Sequence, residues 1–231
     1  MTGCSRDWHS MLSIRNLKKY YPTPEGARSL VVDVPEFRLA AGEQRALRGE
    51  SGTGKTTFLH LIAGILAADS GTIEIDGVDI VALPESQRDR IRAGNIGVIF
   101  QAFNLLQGYT VLENVLLGMS FGPDGPSPVR ARRLLGRVGL AHRLDHFPRQ
   151  LSTGQQQRVA VARALANGPR LVLADEPTGN LDRRNAGEAL TLIADACREA
   201  KAALLLVSHD ERILGQFGTV RDFSEINQAA C

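Results

Sequence analysis

The stretch that most constrains the fold of this chain is a glycine-rich loop at residues 49–57, which reads Gly-Glu-Ser-Gly-Thr-Gly-Lys-Thr-Thr. It follows the apolar pair Ala46-Leu47 and precedes a helical pattern from Phe58 to Leu66. A loop of the form G-x-x-x-x-G-K-[ST] between a strand and a helix wraps a phosphate chain with backbone N–H groups, and glycine keeps side chains out of that wrap. The sequence therefore predicts a phosphate-binding loop at the positive end of a helix.

Individual residues of this loop have separate predicted roles. The Lys55 ammonium is expected to reach the β- and γ-phosphates, and the Thr56 hydroxyl is expected to hold Mg²⁺. The other loop residues predicted to contact the nucleotide are Gly49, Glu50, Ser51, Gly52, Thr53, Gly54 and Thr57. The alternative is an ordinary glycine turn with a surface lysine, and the strand–loop–helix context disfavours it.

Composition describes an ordinary globular chain around this loop. The 231 residues are 43% hydrophobic and 23% charged, which suits one large α/β domain or one core with a small inserted subdomain. The net charge of +2 is too small to indicate nucleic acid as a partner. No apolar run approaches the roughly 18 residues of a membrane span, so a partner would have to supply any membrane attachment. We expect residues 1–10 to be a flexible leader and residues 11–231 to form a single domain.

The cysteine pattern argues against a disulfide-stabilised protein and against a zinc-binding protein. Cys4, Cys197 and Cys231 are scattered, odd in number and without C-x-x-C spacing. They predict neither a disulfide partner nor a zinc site, and they suit a reducing compartment.

The segments on either side of the loop predict a small antiparallel sheet. Residues 12–17 alternate apolar and polar side chains, and residues 29–39 are rich in β-branched residues with a proline interruption. Asp76-Gly77 after the strand-like residues 72–75 is a hairpin signal. Tyr21 lies shortly before the loop, where an aromatic ring can stack on adenine for about 1–3 kcal/mol. An aromatic anchor that closes a hairpin is an equally good interpretation.

Polar side chains follow three apolar, strand-like runs. Gln101 follows the first, Asp175 and Glu176 end or follow the second, and His209 follows the third. Because ligand groups collect at the carboxyl ends of parallel strands, Gln101 is placed to touch Mg²⁺ or a water molecule. Asp175 is suited to hold Mg²⁺, and Glu176 to orient or deprotonate an attacking water. A solvated glutamine and a structural histidine are the alternatives, whereas two adjacent acids at a buried strand end favour function.

A second phosphate-facing helix start lies at residues 148–165. A polar turn opens there into a long helix, with a hydroxyl at Ser152 and backbone donors around Gly154. The chain thus contains two such helix starts, separated by most of a domain, and they need not serve the same nucleotide from the same subunit.

Together these motifs resemble the ATP-binding subunit of an ABC transporter over residues 12–209. The resemblance implies an α/β fold of the P-loop NTPase, ABC ATPase type. That fold has a RecA-like parallel-sheet core, an N-terminal antiparallel β subdomain and an inserted α-helical subdomain at about residues 102–165. The implied motifs are the Walker A loop at 49–56, the Q-loop glutamine Gln101, the signature motif Leu151 to Gln155, the Walker B strand Leu171 to Asp175, the catalytic Glu176, the D-loop Asn180 to Asp182, the switch histidine His209 and the adenine-stacking Tyr21.

Residues 100–106, 112–115 and 175–182 are similar in sequence to the bacterial lipoprotein-release and macrolide-export branch of that family. This resemblance implies an ATP hydrolase that drives export or extraction of a lipoprotein, lipid or small amphipathic cargo through a separate integral membrane permease. Its location would be cytoplasmic, peripheral on the inner face of the cell membrane. The alternative is a regulatory ATPase that works a membrane partner to control a cell-wall enzyme and transports nothing.

The implied mechanism is a homodimer in the ATP-bound state that encloses two ATP molecules. One copy would contribute Lys55, Thr56, Gln101, Asp175, Glu176 and His209, and the other Ser152, Gly154, Gln155 and Asp182. Thr153 departs from the family, which usually has glycine there, and a positive φ at this position would cost about 1–2 kcal/mol. Apolar side chains after Gln101 are either permease anchors or local packing: Phe103, Leu105, Leu106 and Tyr109.

Overall fold

A computed structural model describes residues 10–24 and 26–229. The expected leader therefore lies outside the described residues except for Ser10, which is the first residue of a strand. Cys4 and Cys231 also lie outside them, and Cys197 is a buried free thiol. Burial raises the pKa of the Cys197 thiol to about 12, so this thiol is unreactive at neutral pH.

The strands are β1 (Ser10–Pro22), β2 (Arg28–Ala40), β3 (Gln44–Arg48), β4 (Ser70–Ile75), β5 (Val78–Asp79), β6 (Ile96–Ile99), β7 (Leu171–Asp175), β8 (Ala203–Ser208) and β9 (Val220–Asp222). The helices are α1 (Lys55–Ile62), α2 (Glu85–Asn95), α3 (Val111–Met119), α4 (Pro128–Arg137), α5 (Thr153–Ala164), α6 (Arg183–Glu199) and α7 (Glu211–Leu214). Two 3₁₀ turns occupy Pro148–Gln150 and Phe223–Glu225. Helix α1 is shorter than its sequence pattern predicts, because Gly64 has a φ of 65°, the left-handed conformation that ends helices.

The antiparallel sheet has the strand order β2-β1-β4-β5, which confirms the prediction from the N-terminal third of the sequence. The apolar residues Ile14 and Ile73 face each other across β1 and β4, and both are buried. Strand β2 continues through Pro35, where the sequence predicted an interruption. The reason is that β2 is an edge strand, in which the missing N–H of proline is tolerated.

The second sheet is parallel, with the order β6-β7-β8-β3-β9. Its central strands β7 and β8 are buried along their whole length, as continuous apolar runs in parallel sheets are. All five strands point the same way, so their carboxyl ends share one edge. The three strands that precede the predicted polar residues therefore end side by side.

Helices α3, α4 and α5 pack around a separate apolar core. Phe103 and Leu105 are each 8% exposed and belong to that core, so of the two interpretations left open by the sequence, local packing accounts for both residues. Leu106 and Tyr109 are exposed. The buried Asn114 fixes this segment, since its amide donates to the carbonyl groups of Leu106, Tyr109 and Thr110.

None of the helices in the described part of the chain combines the length and the hydropathy that a transmembrane span requires.

Candidate active site

The glycine-rich loop connects β3 to α1, as its sequence context predicts. Gly52 and Gly54 have φ values of 85° and 92°, which lie in the region that side chains disfavour. A Cβ atom on Gly54 would lie 2.7 Å from the carbonyl oxygen of Val31. Both the backbone conformation and the close approach of β2 therefore require glycine at position 54.

Lys55 begins α1 and is buried although it carries a charge. Its ammonium group donates to the carbonyl oxygen of Glu50 and lies 3.4 Å from the Thr53 hydroxyl. Burial lowers the pKa of Lys55, and the carboxylates of Glu176 and Asp175 oppose this shift. The lysine is thus bonded within the loop and lines the same cleft as the two acids.

Asp175 is the last residue of β7 and is 9% exposed. Burial raises the pKa of its carboxyl group, while a hydrogen bond from Thr56 and the charge of His60 lower it. Within the described residues, no group hydrogen-bonds its Oδ1 atom. A buried carboxylate oxygen without a partner, beside a hydroxyl group, fits the oxygen ligands that Mg²⁺ prefers.

Glu176 follows Asp175 and has a φ of 43°, an unusual conformation for a residue other than glycine. Its Oε1 atom lies 2.7 Å from Nδ1 of His209, and Ser208 Oγ donates to its Oε2 atom over 3.2 Å. The carboxylate is thus held from two sides at the end of β8. Sequence analysis predicted no role for Ser208, although a hydroxyl group at the carboxyl end of an apolar strand was a signal that could have identified it.

Gln101 follows β6 and contacts the turn after Glu176. The backbone carbonyl oxygen of Gln101 accepts a hydrogen bond of 2.7 Å from the Asn180 side chain, and a Cβ atom on Gly179 would lie 2.9 Å from the Nε2 atom of Gln101. The structure therefore brings the amide of Gln101 beside the acids.

A cleft of about 310 Å³ unites these elements. The predicted residues that line it are Ser51, Gly52, Gly54, Lys55, Thr56, Thr57, Gln101, Asp175, Glu176 and His209. An adjacent cleft of about 520 Å³ contains Gly49, Glu50 and Thr53 and shares His209. In the described structure, Tyr21 lines neither of these clefts. The centroid of the Tyr21 ring lies 5.9 Å from the ammonium of Lys19.

The remaining predicted residues form a second cluster, at the N-termini of α5 and α6. Ser152 caps α5 and forms a reciprocal capping box with Gln155. A Cβ atom on Gly154 would lie 3.2 Å from Asn185 Oδ1, and Asn185 in turn donates to Asp182, the cap of α6. Hydrogen bonds from Asn185 lower the pKa of Asp182.

This second cluster is separate from the first. In the described part of the chain, none of its four residues lines either of the clefts around the loop. Thr153, the first residue of α5, does not have a positive φ. The strain considered for this threonine is therefore not present.

Comparison with known proteins agrees with this geometry. Residues 32–179 match the family model described as ABC transporter. The lipoprotein-releasing system ATP-binding protein LolD of Geobacter metallireducens is 41% identical, over 92% of this chain and 95% of the relative. The protein of the same name from Shewanella frigidimarina is 39% identical, over 90% of this chain and 88% of the relative.

Solved structures give the same result. A dimeric post-hydrolysis state of the ATP-binding cassette MJ0796, bound to ADP and Pi, superposes with a TM-score of 0.83 at 32% identity, covering 92% of this chain and 94% of that one. A dimeric structure of MJ0796, a bacterial ABC transporter cassette, gives the same TM-score and coverage at 33% identity. Motif order, sheet order and relatives agree, and the chain therefore belongs to the ABC transporter family, as one of its ATPases.

Proposed function

We propose that two copies of this chain enclose ATP between the cleft of one copy and the second cluster of the other. The observation that carries the proposal is the separation of these two groups within a single chain. Ser152 is exposed and accepts a hydrogen bond from Gln155, so its own hydroxyl proton is available to an anion. The N-terminus of α5 adds partial positive charge at the same point. The dimeric structures of MJ0796 support this arrangement.

Within this arrangement the residues of the cleft divide the chemistry between them. The loop amides and Lys55 bind the phosphates and stabilise the charge that develops on them. Glu176 orients the attacking water and accepts its proton, and His209 and Ser208 keep its carboxylate in place. Thr56, Gln101 and Asp175 would hold Mg²⁺, which neutralises phosphate charge when bound.

In this proposal the second copy completes the site. Gly154 and Gln155 beside Ser152, and Asp182 at the start of α6, would shape the surface that meets the nucleotide of the other copy. Tyr21 would stack on the adenine ring. We assign all of this to one ATPase domain at residues 11–231, with the helical subdomain at about residues 102–165.

We further propose that hydrolysis drives a membrane permease which releases or exports lipoproteins. The two LolD relatives, each matched along at least 88% of its length, support this cargo over the regulatory alternative. The chain would then be peripheral on the cytoplasmic face of the cell membrane, held there by the permease.

A groove of about 520 Å³ between α2, β6, α3 and α5 suits the permease contact. Phe121 lines it and is 75% exposed. Arg163 in the same groove donates to the carbonyl groups of Phe103 and Asn104, both over 2.6 Å. Because these carbonyls belong to the segment that follows Gln101, a partner in the groove would contact the same segment that reaches the cleft.

The test is a dimerisation assay with Glu176→Gln. This variant keeps the shape of the side chain but removes the base, so ATP and Mg²⁺ are expected to convert it from monomer to stable dimer on light-scattering chromatography. Glu85→Gln, an exposed glutamate on α2, is the matched control and should dissociate as the wild type does. A Glu176→Gln variant that stays monomeric with ATP and Mg²⁺ would contradict the shared site.

The permease and its cargo need a separate experiment. The tagged chain is expected to co-purify from membranes with an integral membrane protein and a lipoprotein. Phe121→Ser should weaken that capture without loss of ATP binding. Recovery of a permease with a cell-wall hydrolase, and no lipoprotein, would instead favour the regulatory alternative.

A further inference from the structure

The side chain of Asn227, near the end of the described residues, is hydrogen-bonded to the glycine-rich loop. It is 8% exposed, and its Nδ2 atom donates to the carbonyl oxygens of Thr53 (3.2 Å) and Val31 (3.0 Å). Its Oδ1 atom accepts from the backbone N–H groups of Asp33 (2.7 Å) and Ala229 (3.3 Å). Both donor hydrogens and two acceptor positions of the amide are therefore in use.

Val31 is an irregular position in β2. Lys19 of β1 faces Val32, and the next residue, Tyr20, faces Leu30, so Val31 is the extra residue of a β-bulge. A bulge leaves its extra residue outside the ladder. The amide of Asn227 donates to the carbonyl of this bulge residue and so links the bulge to the loop.

The bond to Thr53 constrains the orientation of a peptide unit in the loop. The Thr53 carbonyl and the Gly54 N–H belong to one planar trans peptide, so they point in opposite directions. A carbonyl held toward Asn227 therefore directs the Gly54 N–H away from Asn227. Rotation of this peptide would turn a carbonyl oxygen toward the side that binds phosphate, where it would repel the anion.

The rest of the C-terminal segment, residues 222–229, is anchored around the same loop. Asp222 pairs with Arg48, the residue before the loop, over 3.3 Å. The ring of Phe223 lies 5.3 Å from that of Phe58 in α1. The backbone N–H of Gln228 donates to the Asp33 carbonyl over 2.7 Å. The segment is thus fixed independently of the bond to Thr53.

We propose that Asn227 is a positioning residue for nucleotide binding, which holds the Thr53–Gly54 peptide in the orientation that the triphosphate requires. This inference rests on the proposed phosphate-binding role of the loop. Asn227 does not touch the nucleotide itself. Its removal should therefore weaken binding and raise KM for ATP, while kcat at saturating ATP changes little.

The test compares three variants of the full chain. Asn227→Asp keeps the acceptor atoms toward Asp33 and Ala229 but cannot donate to Thr53 or Val31. Asn227→Leu removes the polar contacts without adding charge. Gln228→Ala, whose side chain is exposed, is the control. The measurements are the Kd for a fluorescent ATP analogue with Mg²⁺, KM and kcat for ATP, and the thermal midpoint without nucleotide.

Both Asn227 variants should bind the analogue about tenfold more weakly, with kcat within about threefold of the wild type, because both lose the hydrogen bond to the Thr53 carbonyl that orients the loop peptide. Gln228→Ala should match the wild type. The inference is overturned if Asn227→Leu binds the analogue within twofold of the wild type. This holds even if Asn227→Asp is impaired, since repulsion by the added charge then explains the loss.

Two further outcomes are decisive. If the thermal midpoint collapses in both variants and kcat falls as much as binding, the residue is merely structural and the inference is overturned. If the wild-type chain itself fails to bind the analogue, the proposed function fails and the inference fails with it. Normal wild-type binding with unaffected Asn227 variants rejects the inference alone.

Discussion

Replacement of Ser208 by alanine should slow ATP hydrolysis without weakening ATP binding. Ser208 is 1% exposed, and its hydroxyl is one of the two groups that hold the Glu176 carboxylate. Hydrogen bonds to charged groups contribute about 1.5–3 kcal/mol. The O···O distance of 3.2 Å is long for such a bond, so the lower value applies, and about 1.5 kcal/mol corresponds to roughly a tenfold decrease in kcat.

The assay is steady-state phosphate release with varied ATP. Since Ser208 lines neither cleft around the loop in the described structure, KM should stay within about twofold. Ser208 also accepts from the N–H of Asp210 over 3.1 Å, which predicts a stability loss of about 1 kcal/mol. The buried Ser13, 7% exposed in β1, provides a matched Ser13→Ala control with normal kcat. Unchanged kcat in Ser208→Ala, or a loss that appears only in KM, would refute the reasoning.

Three other predictions concern Gly54, Asp175 and Asp182. Gly54→Ala should weaken ATP binding, measured by fluorescence titration, because it combines a φ of 92° with a 2.7 Å approach to the Val31 carbonyl and costs at least about 1–2 kcal/mol. Gly52→Ala, in the same loop with a φ of 85° and no atom within 4 Å, isolates the conformational part, and equal binding losses in both variants would contradict the role of crowding. Asp175→Asn should abolish hydrolysis and raise the melting temperature of the nucleotide-free protein at neutral pH. Asp182→Asn should lower that melting temperature.

The sign of the Asp175 prediction follows from its pKa. Burial raises the pKa of this carboxyl group above its unfolded value, so its ionised form destabilises the folded state at neutral pH. Removal of the charge is therefore stabilising there, and the gain should shrink as pH falls through the raised pKa. The pKa of Asp182 is lowered, so the opposite sign applies to it. A lower melting temperature for Asp175→Asn at neutral pH would contradict the burial argument.

Local chemistry made several elements predictable from the sequence. The Asp76-Gly77 pair connects β4 to β5, as its turn preference indicates. Thr110 caps α3 through a capping box with Glu113. Apolar runs of the parallel strands end where the sequence placed Gln101 and Asp175. Each of these features depends on residues within a few positions of one another.

Long-range contacts were outside the reach of sequence patterns. Phe103 and Leu105 belong to the core around α3 to α5 because that core closes over them, and periodicity alone could not distinguish this from an exposed anchor. The bond from Ser208 to Glu176 joins residues 32 positions apart, and that from Asn227 to Val31 joins residues 196 positions apart. Such partners meet only after the strand order is set.

The sequence by itself determined the glycine-rich loop, the polar residues at the strand ends and the second helix start, because backbone preference and apolar periodicity act locally. Only the tertiary structure decided which of these groups share a cleft and what holds each in place. The physical reason is that a hydrogen bond or an apolar contact depends on distance in space, and the order of the strands in the two sheets fixes that distance independently of separation along the chain.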